Sequence, residues 1–209
     1  MSKILQFNQK DVEILREETV YKGHFELKKV FFRHKLFAGG MSNEVCRELL
    51  MKGDASVLIA YDSNKDSVVL IEQIRIGAYE PKGNQSPWLL ELIAGMVDTD
   101  ESPKDVAIRE SKEEAGLDIN NIKYLFSVWD SPGGMVEKLH FFFGEVDTTN
   151  IGGIYGLDEE NEDILVHIVP RETAYQWVVE GKINNAIAVI GLQWLQLNYH
   201  TLNQKIENK

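Results

Sequence analysis

Apolar and polar positions alternate in the first part of the chain. Residues 12–36, VEILREETVYKGHFELKKVFFRHKL, keep a partial period of two on both sides of Gly23. This predicts two strands joined by a turn. Residues 55–61 (ASVLIAY) and 67–76 (SVVLIEQIRI) are nearly unbroken apolar runs separated by DSNKD, which reads as strand, turn, strand. The loop GNQSP precedes WLLELIAG, which reads as one short buried strand. Residues 122–129 (IKYLFSVW) and 138–146 (KLHFFFGEV) are further strands, with the Pro- and Gly-rich loop DSPGGMVE between them. Residues 148–163, TTNIGGIYGLDEENED, form a long polar segment with a knot of acid. A long loop inside a compact domain is usually functional or disordered. ILVHIVP predicts a last strand; RETAYQWVVEGK and NNAIAVIGLQWLQLNYH predict helices, the second apolar on most faces and therefore packed. The expected fold class is α+β, a mixed sheet flanked by helices, with an N-terminal β region over residues 1–50 and a main domain over 51–209.

Between these elements lies GMVDTDESPKDVAIRESKEEAGL, Gly95 to Leu117. Ser102 is a helix N-cap followed by proline at the first helical position, and Gly116 suits the C-terminal end. On that helix Glu110, Glu113 and Glu114 project from neighbouring positions. Like charges at i,i+4 destabilise a helix by roughly 0.2–0.5 kcal/mol per pair. A hard divalent cation bound by clustered carboxylate oxygens removes that repulsion, and oxygen-only ligands favour Mg²⁺ or Mn²⁺. Taken alone, the cluster is more often a solvated helix face.

Composition narrows the setting. The chain has 209 residues, 44% of them hydrophobic, and no apolar run long enough for a membrane span. The N-terminus becomes charged too early for a secretory signal. A single cysteine, Cys46, leaves no disulfide within one chain and no zinc cluster. A cytoplasmic setting is the expectation. Net charge is −11, from 33 acidic against 22 basic residues. Such a field repels nucleic acid and anionic membranes, so neither is an expected partner. An anionic substrate would need metal ions and a few aimed arginines.

The spacing Gly95, five residues, Glu101, seven residues, Arg109-Glu110, two residues, Glu113-Glu114, one residue, Gly116, then Leu117 is the Nudix box, and here the chain resembles the Nudix hydrolases. Seven fixed positions at average frequencies match by chance on the order of once in a million chains of this length. One position departs: Ser111 stands where the family usually has an apolar residue. The resemblance implies a Nudix fold, a mixed sheet sandwiched between helices, and Mg²⁺-dependent hydrolysis of a diphosphate linked to another moiety. It makes Glu110 and Glu114 the main metal ligands, with Glu113 a further ligand or support and the Ala94 carbonyl completing one site. Two or three Mg²⁺ or Mn²⁺ ions are expected. Arg109 would orient a glutamate, Gly95 would allow the tight strand-to-helix loop, and Glu101 would support the helix entrance.

Pro132, fifteen residues after Leu117, resembles the ADP-ribose pyrophosphatase subgroup. The likeness runs through YKGHF, RHKLF, MSNEV, VVLIEQIRIGAY, PWLLELIAGM, GLDEENEDI and AYQWVVEGKI. It implies hydrolysis of ADP-ribose to AMP and ribose 5-phosphate by a homodimer whose N-terminal β regions swap and whose substrate sites are shared. Glu160 would be the base that activates water, and Glu162 a further metal ligand. Arg47 with Glu48, Lys52, Arg75 and Met96 would contact substrate. Ser131, Pro132, Gly133 and Glu137 would come from the second subunit or shape the ribose end. His24 stands where relatives place an aromatic, with Phe25 next to it; either ring could stack on adenine. As bare sequence, Arg47 and Arg75 read equally as surface ion pairs. A hydrolase of another sugar nucleotide such as GDP-mannose shares the SPGG loop and the swapped dimer. A ligand sensor without catalysis would usually lack box glutamates, and here all three are present.

Overall fold

The computed structural model describes residues 4–98, 100–119 and 121–203; the side chains of Glu160 and Asn203 lie outside the described set. In chain order the elements are β1 (Val12–Lys22), β2 (Glu26–His34), β3 (Val45–Met51), β4 (Ala55–Asp62), β5 (Ser67–Ile74), β6 (Trp88–Glu91), β7 (Ile93–Met96), α1 (Pro103–Ala115), β8 (Ile122–Trp129), β9 (Met135–Val136), β10 (Lys138–Glu145), β11 (Gly153–Tyr155), β12 (Ile164–Pro170), α2 (Arg171–Val179) and α3 (Ala186–Asn203). They divide into two units: Met1–Gly53 with Trp129–Glu137, and Asp54–Val128 with Lys138–Lys209. The first unit therefore takes in a returning segment that a continuous N-terminal region over residues 1–50 does not include.

That unit is one sheet in the order β1-β2-β3-β9. β1 and β3 flank β2 antiparallel, and β9 joins β3 in parallel, Met135 opposite Leu50. β1 is exposed along its whole length. Among the described residues of this unit Glu137 alone is buried, so the sheet has no apolar interior of its own.

The larger unit carries an eight-stranded mixed sheet in the order β11-β12-β5-β4-β10-β8, with β6 on β5 and β7 on β4. β4 and β10 run parallel. The unbroken apolar run of β4 follows from burial on both faces. Val57, Ile59 and Tyr61 enter one core with Ala188, Leu192 and Leu195 of α3. Leu58 and Ala60 enter the other with Ala107 and Ala115 of α1. α1 thus covers one face of the sheet, and α2 and α3 the other, as the expected fold class requires.

WLLELIAG is two strands where one was expected. β4 and β5 pair only next to their turn, at Tyr61–Val68 and Asp62–Ser67. Beyond that they splay, and their free backbone groups need partners. β6 fills the fork against β5 and β7 against β4, the chain crossing at Leu92. The polar segment 148–163 holds the short strand β11 and a 3₁₀ turn, Asp158–Glu160. β3 was not legible in the periodicity, because Arg47 and Glu48 interrupt it.

Candidate active site at the acidic helix

α1 begins and ends as its sequence directs. Ser102 Oγ accepts the Asp105 N–H at 3.2 Å, and Pro103 takes the first position. Gly116 adopts φ 63°, ψ 19°, a left-handed cap whose N–H donates to the Lys112 carbonyl. A side chain there would also run into the Tyr155 ring. Ser111, the departure from the family pattern, is fully buried. Its hydroxyl lies 2.7 Å from the Ile108 carbonyl and 3.3 Å from that of Leu117. The helix wall that an apolar residue would fill holds here a hydroxyl bonded to carbonyls within the helix and just past its end.

Arg109 organises the acids. Its Nε and Nη2 embrace Glu101 at 3.0–3.3 Å. Its Nη1 donates to Glu110 and to Glu113, each at 2.8 Å. The Glu101 contact above all pushes the guanidinium pKa up, so it is always charged. Glu101 thus belongs to the cluster as the anchor of Arg109.

Glu110 lies against β7 where residue 95 has no side chain; a Cβ at Gly95 would overlap its carboxylate. Glu114 is 3% exposed, and its Oε2 accepts the Ala94 N–H at 3.0 Å. Burial pushes the Glu114 carboxyl well above the ordinary range, and the Glu110 charge adds to it. Burial also raises Glu110, against the pull of Arg109. Glu162, in the loop before β12, acts on both as a further negative charge. Its Oε2 accepts the Leu157 N–H at 3.3 Å. That loop docks on the helix end, the Gly156 N–H donating to the Glu113 carbonyl at 3.3 Å. Tyr155 and Gly156 were not singled out in the sequence, since neither carries charge or metal-ligating chemistry.

These acids fit a divalent cation. They are oxygen donors with two pushed-up carboxyls, and positive charge beyond Arg109 would relieve them. Among the described residues no three of them converge as a ready-made cage.

The remaining expected residues fall in both units. Arg75 pairs with Glu91 at 2.8 Å, and its charge reaches Glu114. Met96, 40% exposed, ends β7. In the smaller unit Lys52 and Glu137 pair with each other at 2.5 Å. Arg47 donates to the Cys46 carbonyl, and Glu48 faces Lys29 at 3.6 Å. His24 and Phe25 meet edge to face, ring centroids 4.5 Å apart. Ser131 anchors the turn through Pro132 and Gly133, its carbonyl accepting from Gly134 and Met135. The Glu160 side chain lies outside the described residues.

Comparison with known proteins supplies the family. The family model described as NUDIX domain matches residues 51–185. An ADP-ribose pyrophosphatase of Haemophilus influenzae is 63% identical over 98% of this chain and 94% of its own length. An ADP-ribose pyrophosphatase of Escherichia coli K12 is 53% identical over 95% and 94%. A GDP-mannose pyrophosphatase of Pectobacterium atrosepticum is 35% identical over 87% and 92%. A solved structure described as an ADP compounds hydrolase superposes with a TM-score of 0.66 at 20% identity, over 89% of this chain and 95% of that one, a likeness of fold.

Proposed function

The chain belongs to the Nudix family, and from that premise we propose that it hydrolyses the diphosphate of ADP-ribose, releasing AMP and ribose 5-phosphate. The observation that carries this reading is the buried Glu114, bonded to the Ala94 N–H beside Glu110, in a cluster organised by Arg109. The substrate is taken from the relatives at 63% and 53% identity, both ADP-ribose pyrophosphatases.

The family is typically divalent-metal-dependent. Glu110 and Glu114 would hold the ions, with Glu113, Glu162 and the Ala94 carbonyl completing two or three Mg²⁺ or Mn²⁺ sites. When bound, the metal neutralises diphosphate charge and acidifies water. Arg109 holds Glu110 and Glu113 in place by charge-assisted hydrogen bonds. Glu160 takes the proton of the attacking water, as a base on a loop that closes over substrate. Arg75 exchanges its bond with Glu91 for a bidentate grip on phosphate. Met96 lines the substrate beside it.

The smaller unit supports a homodimer, since a sheet with no apolar interior gains cover from a second copy. In that assembly His24 or Phe25, Arg47, Glu48 and Lys52 contact substrate. Ser131, Pro132, Gly133 and Glu137 shape the ribose end of the shared site.

Purified protein incubated with Mg²⁺ and a panel of ADP-ribose and GDP-mannose tests the reading. AMP release, with ADP-ribose the better substrate, is expected. Absence of AMP from a folded sample overturns it, and preferred release of GMP moves the substrate to GDP-mannose.

A further inference from the structure

Gln73, on β5, is 6% exposed. Its Nε2 is the buried side-chain atom that, among the described residues, has no hydrogen-bond partner. A buried donor without a protein partner costs stability, so a fold that keeps one calls for a reason.

The direction of the side chain follows from the strand. Val68 and Leu70 enter the core under α3, while Val69 and Ile71 enter the core under α1. Gln73 continues the second series, on the face of the sheet that carries the acidic cluster. Arg75 comes two residues later. Across the sheet Leu165 of β12 pairs with Glu72. Carried one step further in that register, Ile164 stands opposite Gln73. Glu162 lies two residues before β12 begins, in the loop that enters the sheet at this same end of β5.

Glu162 has a weak hold in this structure. Its bond from the Leu157 N–H is 3.3 Å long, and its charge acts on Glu110 and Glu114. A carboxylate among like charges and a buried donor without an acceptor are complementary. We infer that Gln73 is a positioning residue whose Nε2 donates to the Glu162 carboxylate when the acidic loop closes over a bound diphosphate. The amide, buried here without a protein partner, gains one on closure, which fixes Glu162 at the reacting end of the site. This inference rests on the hydrolase reading above.

Gln73→Met keeps the length of the side chain and removes the amide. In chelator its melting temperature should rise by a few degrees, because the unpaired donor is gone. Its kcat should fall about tenfold, with KM changed by less than about threefold. Gln73→Glu should lose more turnover, since it sets an acid beside Glu162. Combined with Glu162→Ala, Gln73→Met should cost nothing beyond Glu162→Ala alone. A lower melting temperature with unchanged kcat would mean an amide that serves the fold, through a trapped water for example, and would overturn the inference. Fully additive losses would overturn it as well. Should the variants not fold, the Gln73 side-chain amide protons of the wild type are followed by NMR. Slowed solvent exchange with Mg²⁺ and a methylene-bridged ADP-ribose analogue supports closure onto the amide, and unchanged exchange refutes it. Wild-type turnover is the separate control: if another nucleoside diphosphate sugar is the substrate, the variants are compared on that compound, and the melting experiment needs no substrate.

Discussion

Gly95 and Glu114 carry the sharpest consequences at the scale of single residues. A methyl group at position 95 would occupy the space of the Glu110 carboxylate. Gly95→Ala should therefore move the Glu110 carboxylate, a proposed metal ligand, without unfolding the protein. We expect turnover to fall roughly tenfold to hundredfold with little change in melting temperature. Glu114 works through burial. Its folded-state pKa is raised, so its contribution to stability is present below the ordinary carboxylate value and is lost as pH rises through the folded value. In chelator, Glu114→Gln should melt above the wild type at neutral pH, and the difference should shrink toward pH ~4.5, the ordinary value of the group. Added Mg²⁺ should stabilise the wild type and leave the variant unmoved, because binding to the native state alone raises its stability. Melting curves across pH, with and without metal, check all three outcomes.

At the scale of elements, the acidic cluster depends on a sheet whose outer turns are pinned by other charges. Asp66, at the turn between β4 and β5, accepts Nε and Nη2 of the buried Arg171, each at 2.8 Å, and the Tyr61 hydroxyl at 2.7 Å. Arg171 opens α2, stacks on Tyr199 of α3 with 3.5 Å to the ring centroid, and donates to Gln196. One side chain thus joins a turn and two helices. Burial alone would raise Asp66, but Arg171 and Tyr61 hold its pKa below the ordinary value. Asp62 is likewise held down by Thr148 and Lys65 against its burial. These lowered carboxyls give stability above their ordinary pKa, lost as pH falls through the folded values. Asp66→Ala should cost about 1–2 kcal/mol, since its carboxylate is half exposed and Gln196 still meets Arg171. Urea unfolding at neutral pH checks this, and the deficit should close in strong acid.

The proposed second copy belongs to the scale of the whole molecule. The smaller unit exposes β1 along both faces and, among its described residues, buries no apolar one. A four-stranded sheet in that condition is marginal in water. Light scattering should therefore return roughly twice the chain mass of 23.8 kDa. A monomeric mass would remove the proposed shared site, along with the proposed substrate roles of Arg47, Lys52 and Glu137, and leave the acidic cluster of the larger unit as it stands. At this scale too, no helix among the described residues is long and apolar enough to cross a membrane.

Local chemistry determined much of this protein from the sequence alone. Ser102-Pro103 and Gly116 set the ends of α1, because caps act through bonds within one turn. The spacing of Glu110, Glu113 and Glu114 set their shared face, because helical period is local. The apolar runs of β4 and β5 declared strands, and the fold then buried them on both sides. Tertiary structure decided what depends on neighbours far along the chain. It broke WLLELIAG into two strands, because β4 and β5 splay and leave two separate edges to fill. It made Arg109 the partner of three acids at once, which spacing allows but does not require. It buried Glu114 against the Ala94 N–H, turning one of three similar glutamates into the one that most opposes its own charge. It also buried the Gln73 amide nitrogen without a protein partner, a fact of packing that no periodicity encodes.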